Sequence, residues 1–390
     1  MSTLESSTHD HRAPATVADV VEVLEAAYPP HLAESWDAVG LVCGDPEAAV
    51  NTVCFALDCT LEVAQEAVNQ GADMLVVHHP LLLRGVNSVA ANTPKGKVIH
   101  TLIRAGVALF AAHTNADSAR PGVNDKLAEL CGITPGRPIA PKQQGLDKWG
   151  VQVPPQHAET LKEAIFGAGA GHIGEYSECA FNISGEGEFL PGSHANPTIG
   201  EAGKREVLQE LRIECVAPRH RRGAILEALR SAHPYEEPAF DITALEASQP
   251  LDEACGLGRI GELDTPMRFE DYVQFIADQL PETTWGVRAA GDPERMVHTI
   301  AVSSGAGDSF LETAANLGVD VFLTSDLRHH PVDETLRAHD ICVIDTAHWA
   351  SEFPWTEQAS RIVQQSLRHI DTKVLHIRTD PWTLSKHPQR

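Results

Sequence analysis

Two stretches of this 390-residue chain carry short apolar runs of strand length separated by segments of helix length, and that alternation demands a parallel sheet. In the first stretch the runs are 53–57, 74–77 and 107–112. Thr60 can cap the helix between the first two and Gly71 can end it. A helix at 97–104 joins the second to the third, and an earlier helix starts at a capping box built on Thr16 and Asp19. Runs that are apolar throughout are strands buried on both faces, connected by right-handed crossovers. The second stretch repeats the order with runs at 298–303, 319–324 and 341–344, and the turn SSGAGDS leads into a helix over 310–316. In each half a His-His-Pro follows the second run, at 78–80 and at 329–331, and a polar segment containing His follows the third. A diverged internal repeat is expected.

The pattern changes over about 148–245. The strand WGVQVP, a helix over 157–166 and a glycine-rich turn and strand in AGAGHIGEYSECAF come first. The loop GEGEFLPGSHANPTIGEAG, a strand near 211–216, a helix over 222–231 and HPYEEPAFDI follow. This is βαβ followed by βαβ, the order of a ferredoxin-like or PII-like module. GLGRIGEL, at 256–263, returns to the main body. A single core rarely grows beyond about 250–300 residues, so division is expected. The reading is an α/β protein of two repeated α/β halves, 16–147 and 256–390, that form one domain. An α+β domain is inserted over 148–255, and 1–15 is a disordered tail.

The net charge of −24 repels phosphate backbones, so non-specific nucleic-acid binding is not expected. No apolar run approaches the roughly 20 residues of a membrane span, and the polar first residues do not read as a signal peptide. Eight cysteines are scattered without a CxxC, as free thiols in a reducing compartment would be, so a cytoplasmic location is expected. A zinc site of four cysteines has no support.

In open parallel sheets ligands bind beyond the carboxyl ends of the strands. His78 and His79 stand at such an end, and so does HTNAD, with His113 and Asp117. If the halves repeat, DTAHWASE lies at a related edge with His348 and Glu352, whose spacing of four puts both on one helix face. Imidazole with carboxylate suits Zn, Mn, Fe or Co rather than Mg or Ca alone. His78, His79, Asp117, His348 and Glu352 suffice for two divalent ions per subunit, which makes the repeated halves a metal-binding domain. The structural alternative is a set of ordinary loop-edge polar residues. His113 is expected to orient its neighbours or to act catalytically. SSGAGDS can cradle a phosphate at a helix start, but it lacks lysine and Asp308 repels anions, so a tight turn is favoured. Trp36 and Asp37 are expected to hold the N-terminal loop over the sheet edge, and HPYEEP reads as a shaped turn.

SWDAVGLVCGDP, GADMLVVHHPLLL, HTNADSARPGVNDKLAE, GAGHIGEYSECAF, GEGEFLPGSHANPTIG, HPYEEPAFDI, GLGRIGEL and VIDTAHWASE resemble the Ngg-interacting-factor-three-like family, whose members are often named GTP cyclohydrolase type 2 homologues. The likeness is to the longer bacterial form with a PII-like insertion. It implies an α/β fold, a dinuclear metal centre and a ring-shaped homohexamer, with His78, His79, Asp117, His348 and Glu352 as ligands. Asp326, His329 and His330 resemble a motif near the family's cleft, which makes Asp326 and His330 candidate proton donors or substrate contacts. One departure is Ala347, where the family carries glycine; alanine would be strained if that backbone needs a positive φ.

The expected function is a metal-dependent hydrolase acting on a small molecule, by the family name a nucleotide. Paired ions make hydroxide available near neutral pH. That nucleophile can open the GTP ring with release of formate, or cleave a phosphoester. A reading of another class is a metal-binding regulatory or metal-handling assembly with little catalysis, which an inserted PII-like module favours.

Overall fold

The computed structural model describes residues 14–142, 145–246 and 250–386, so of the expected tail residues 1–13 lie outside the described residues. Residues up to 142 and from 250 form one unit, and those between form another. The first unit opens with β1 (Gly40–Cys43), β2 (Thr52–Ala56), β3 (Met74–Val77), β4 (Ala108–Ala111) and the short β5 (Ala140–Pro141). The second unit contains β6 (Leu146–Val153), β7 (Phe181–Phe189), β8 (Glu206–Pro218) and β9 (Phe240–Leu245). The chain returns through β10 (Gly256–Leu257), β11 (Arg259–Arg268), β12 (Val287–Ala290), β13 (Met296–Ala306), β14 (Val321–Ser325), β15 (Cys342–Thr346) and β16 (Asp371–Val374).

The result is a mixed α/β fold with several sheets. The first unit holds two five-stranded sheets, ordered β1-β4-β3-β2-β16 and β12-β15-β14-β13-β11. In the first sheet only β1 runs antiparallel to its neighbour. In the second, β12 and β11 flank a parallel β15-β14-β13 core in the antiparallel sense. The apolar runs are buried on both faces by alternation. Val53, Phe55, Met74, Val76, Ala108 and Phe110 join one core with the helices Val17–Ala27 and Trp355–Ser366. Their neighbours Cys54, Ala56, Leu75, Val77, Leu109 and Ala111 join another with Leu61–Asn69 and Pro94–Ala105. In the second sheet Ile300, Val302, Val321 and Leu323 face one side, and Ala301 and Phe322 face the other.

Local chemistry fixes where these elements start. Thr16 and Asp19 form the expected capping box, and Thr60 Oγ1 accepts from the amide of Val63. The helix expected at 97–104 starts earlier, at Pro94, because Thr93 caps it through Gly96. One carboxylate pins the base of each sheet. Asp73 Oδ2 accepts from the amides of Asn51 and Thr52, and Asp320 Oδ2 accepts from those of His298 and Thr299. Arg259 is fully buried and fully partnered: Asp125 takes two of its hydrogen bonds, and the carbonyls of Ala119, Gly256 and Gly258 take the rest.

The second unit is an antiparallel sheet ordered β7-β8-β6-β9. Its helices Ala158–Gly167 and Arg222–Ala232 bury Leu161, Ile165, Ile225 and Leu229 against Trp149, Val151 and Ile213. Two expectations need correction. GEGEF is the end of β7 rather than loop, because paired strand tolerates its glycines. And His329-His330-Pro331 does not directly follow a strand as His78-His79-Pro80 does. It forms the first turn of the helix His329–Ala338, beyond Asp326, Leu327 and Arg328.

Candidate metal centre

Both amides of His78 and His79 donate to the carbonyl of Leu57, at 3.1 and 3.0 Å, which pins the pair at the carboxyl end of β3. β4 leads into His113 and the short helix Thr114–Ser118, which carries Asp117. Asn115 shapes this turn by accepting from the amide of His113 at 2.9 Å and donating to the carbonyl of Tyr28 at 2.7 Å. β15 leads into the helix His348–Glu352, on which the two end residues face the same side. Ala347 has φ −68 and ψ 135, so the backbone feared to be strained is ordinary extended chain and alanine costs nothing there.

The rings are held in one tautomer by their outer nitrogens. His78 Nδ1 donates to the Ala112 carbonyl at 2.8 Å, His79 Nδ1 to Asp58 at 2.7 Å, His113 Nδ1 to Asp37 at 2.8 Å and His348 Nδ1 to Asp326 at 2.6 Å. Each acceptor is an oxygen with no hydrogen to give, so each Nδ1 carries the proton and leaves the other nitrogen free to bind. The free nitrogens converge on two carboxylates. His78 Nε2 lies 3.7 Å from both Asp117 Oδ1 and Glu352 Oε1. His79 Nε2 and His348 Nε2 lie 2.9 and 3.1 Å from Glu352 Oε2. Yet the buried atoms His78 Nε2 and Glu352 Oε2 have no partner in hydrogen-bond geometry among the described residues. Buried lone pairs facing one another without a hydrogen are costly.

A cation relieves that arrangement, and the donor set fits one. Two ligand atoms each about 2 Å from a shared ion lie roughly 3–4 Å apart, the size of the gaps at His78. Among the described residues, three groups bring their ligand atoms within 4.8 Å of one another: His78, Asp117 and Glu352; His79, His348 and Glu352; and His78, His79 and His113. All five residues expected as metal ligands are therefore together, with His113 beside them. Without an ion, protons balance the charge. Burial disfavours them on His79, but Glu352 and Asp58 push its pKa up to about 10. The charge of Glu352, against burial and aided by Asp326, pushes His348 to about 11. Burial raises the pKa of Asp117, whereas Glu352 is held well below the usual carboxylate range because His348, His79 and His78 outweigh its burial.

Asp326 is exposed and holds the outer nitrogen of His348, so it orients that ring; its own backbone sits at φ +57. His330 is exposed on its helix, its ring 5.1 Å from that of His329, and none of the groups that can hold an ion includes it. SSGAGDS lines the cluster instead of cradling an anion. Ser304 Oγ donates to Asp117 at 2.9 Å, the Ser304 amide donates to Asn124, and Gly305 donates to Ser351. Asp37 does more than hold a loop, since it also accepts from the amide of Thr114. Sequence reasoning missed Asp58, Asn124, Ser304 and Thr379, whose hydroxyl binds Asp58. For Asp58 the signal was its place just beyond β2, after Leu57.

No helix among the described residues is long and apolar enough to cross a membrane. The family model of Duf34/NIF3 (NGG1p interacting factor 3) matches residues 15–381. A Mycobacterium tuberculosis protein named GTP cyclohydrolase 1 type 2 homolog is 50% identical over 377 residues, 96% of this chain and 98% of that protein. A Bacillus subtilis protein of the same name is 36% identical over 334 residues, 85% of this chain and 88% of its own length. The solved structure of the Bacillus cereus protein related to NIF3 superposes with a TM-score of 0.76 at 31% identity, covering 96% of this chain and 100% of that one. The resemblance drawn from the motifs is borne out: this chain belongs to the Duf34/NIF3 family.

Proposed function

We propose that this protein is a metal-dependent hydrolase built on a dinuclear divalent-metal centre. One observation carries the reading: the Nδ1 atoms of three imidazoles are tied to oxygens, while their Nε2 atoms face two buried carboxylates that lack enough hydrogens to satisfy them. His78, Asp117 and Glu352 would hold one ion, and His79, His348 and Glu352 the other. Zn, Mn, Fe or Co suits these donors. When bound, such ions supply Lewis acidity toward a substrate oxygen and toward water.

The remaining residues bind, orient and move protons. Asp37 fixes the tautomer of His113, whose second nitrogen faces the cluster and can take a proton from water and return it to a leaving nitrogen or oxygen. Asp58 and Asp326 orient His79 and His348. Ser304 fixes the rotamer of Asp117. His330 has no part in this scheme. The name of the curated relatives, GTP cyclohydrolase 1 type 2 homolog, favours opening of a GTP ring with release of formate over cleavage of a phosphoester.

We further read the first unit as two repeated α/β halves. The support is the matching order of four strands in each sheet, β1-β4-β3-β2 and β12-β15-β14-β13, and the matching pins, Asp73 with Thr52 and Asp320 with Thr299. The second unit reads as an inserted PII-like domain, supported by its ferredoxin-like strand order. The family motifs support a homohexamer, and eight free cysteines among the described residues support a cytoplasmic location.

A regulatory or metal-handling assembly has one observation in its favour, a cavity of about 670 Å³ in the second unit, lined in part by Phe189, Tyr235 and Glu236. One experiment separates the two readings. Metal-loaded protein is incubated with GTP and a panel of nucleotides and phosphoesters, and formate and phosphate are followed. Formate release that disappears in Asp117→Ala supports the hydrolase. No turnover with metal fully bound supports the assembly.

A further inference from the structure

A cavity of about 250 Å³ adjoins the cluster in the first unit, and the metal ligands make up only part of its wall. His79 and His348 line one side, and Trp285, Trp349, Trp382 and Asp380 line much of the rest. The rings of Trp285 and Trp382 are 5.7 Å apart and tilted by 36°. Trp349 is held in place by stacking on Phe353 at 4.4 Å. The Trp285 and Trp382 rings pack on each other and the Arg288 guanidinium lies 4.1 Å over Trp285, so the indole that remains open to a flat aromatic ligand is the exposed Trp382.

Asp380 adds the selective element. It is 8% exposed, and its Oδ2 is buried without a hydrogen bond among the described residues. A carboxylate withdrawn from water needs donors, and a ligand that brings N–H groups supplies them. The segment is anchored to the centre: Thr379, next to Asp380, binds Asp58, which in turn holds His79. The volume lies below the roughly 300 Å³ at which pockets for drug-sized ligands begin, so it admits one bicyclic ring rather than a whole nucleotide.

We propose that this cavity is a subsite for a flat heterocycle with two adjacent N–H donors, stacked on Trp382 with Asp380 accepting both. Guanine presents that edge through its ring N–H and its amino group. Hypoxanthine lacks the amino group, and adenine has an acceptor where the ring N–H would be. The inference rests on the reading of this cleft as a nucleotide-hydrolysing site and names the ring it admits.

The test is binding, read by calorimetry and by quenching of tryptophan fluorescence, with the full chain loaded with zinc or manganese. The probes are guanosine, inosine and adenosine. Guanosine is expected to bind roughly tenfold or more tighter than the other two, the size of a hydrogen bond to a charged group. Asp380→Asn is expected to remove that advantage and leave inosine nearly unchanged. Trp382 is 56% exposed, so Trp382→Ala leaves the core intact, and it is expected to weaken all three nucleosides. Equal binding of the three, binding of none, or an advantage for guanosine that survives Asp380→Asn would overturn the proposal. If Asp380→Asn does not fold, Trp382→Ala decides alone, and unchanged binding of all three overturns it. Selective guanosine binding without turnover of GTP leaves the subsite standing and removes the hydrolase. Turnover of GTP that Asp380→Asn does not alter removes the subsite and leaves the hydrolase.

Discussion

The backbone of Gly305 turns at φ +61 beside the cluster, and a Cβ there would meet Glu352 Oε1 at 2.3 Å. Any side chain would strain the turn and push aside the carboxylate that both candidate ion positions share. Gly305→Ala is therefore expected to lose most of its bound metal by elemental analysis while its far-UV circular dichroism stays native. Asp125 carries a different load, because it is the acid that neutralises the buried Arg259 guanidinium. Asp125→Ala strands that charge and is expected to cost about 3–5 kcal/mol in urea unfolding. The five expected ligands were legible because each follows a strand end or shares a helix face with another. Their supports were not. Asp58 and Ser304 meet His79 and Asp117 only after folding, and Thr379 and Asn124 in turn hold Asp58 and Ser304. His330 shows the opposite failure: its dipeptide copies His78-His79, but three more residues after the strand place it on a helix.

Among the elements, β2 and β13 are set at their bases by a single acid each, Asp73 and Asp320. Burial opposes ionisation of Asp320, but the amides of Thr299 and His298 and the Arg295 guanidinium outweigh it and hold the carboxyl below its usual range. A group depressed on folding adds stability that is complete above its unfolded pKa, about 3.9, and is lost as pH falls through the folded value. Asp320→Asn is therefore expected to be less stable than the natural chain above about pH 4. The gap between their urea midpoints is expected to narrow as the pH drops further. The parallel strands were readable from sequence because burial on both faces leaves no polar position in runs such as MLVV. β7 was not, because FNISGEGEF is exposed along most of its length and its two glycines imitate a loop.

At the scale of the whole molecule, the centre joins residues from both ends of the chain, with His78, His79 and Asp117 before the second unit and His348 and Glu352 after it. An ion bound only by the folded state stabilises it by mass action, by about 2.7 kcal/mol at a hundred times its Kd. Zinc or manganese is thus expected to raise the melting temperature of metal-stripped protein, and less so in Glu352→Ala; equal shifts in both would count against a shared carboxylate. The net charge of −24 makes cation uptake cheap and phosphate approach costly, so anionic substrates are expected to bind more tightly once metal is loaded. The most direct measurement is elemental analysis of protein purified without added metal, alongside His78→Ala and Glu352→Ala. The account predicts close to two divalent ions per chain, a sharp fall in both variants and an unchanged fold. A natural chain that takes up no divalent metal even when it is supplied, or variants that keep the full complement, would contradict it.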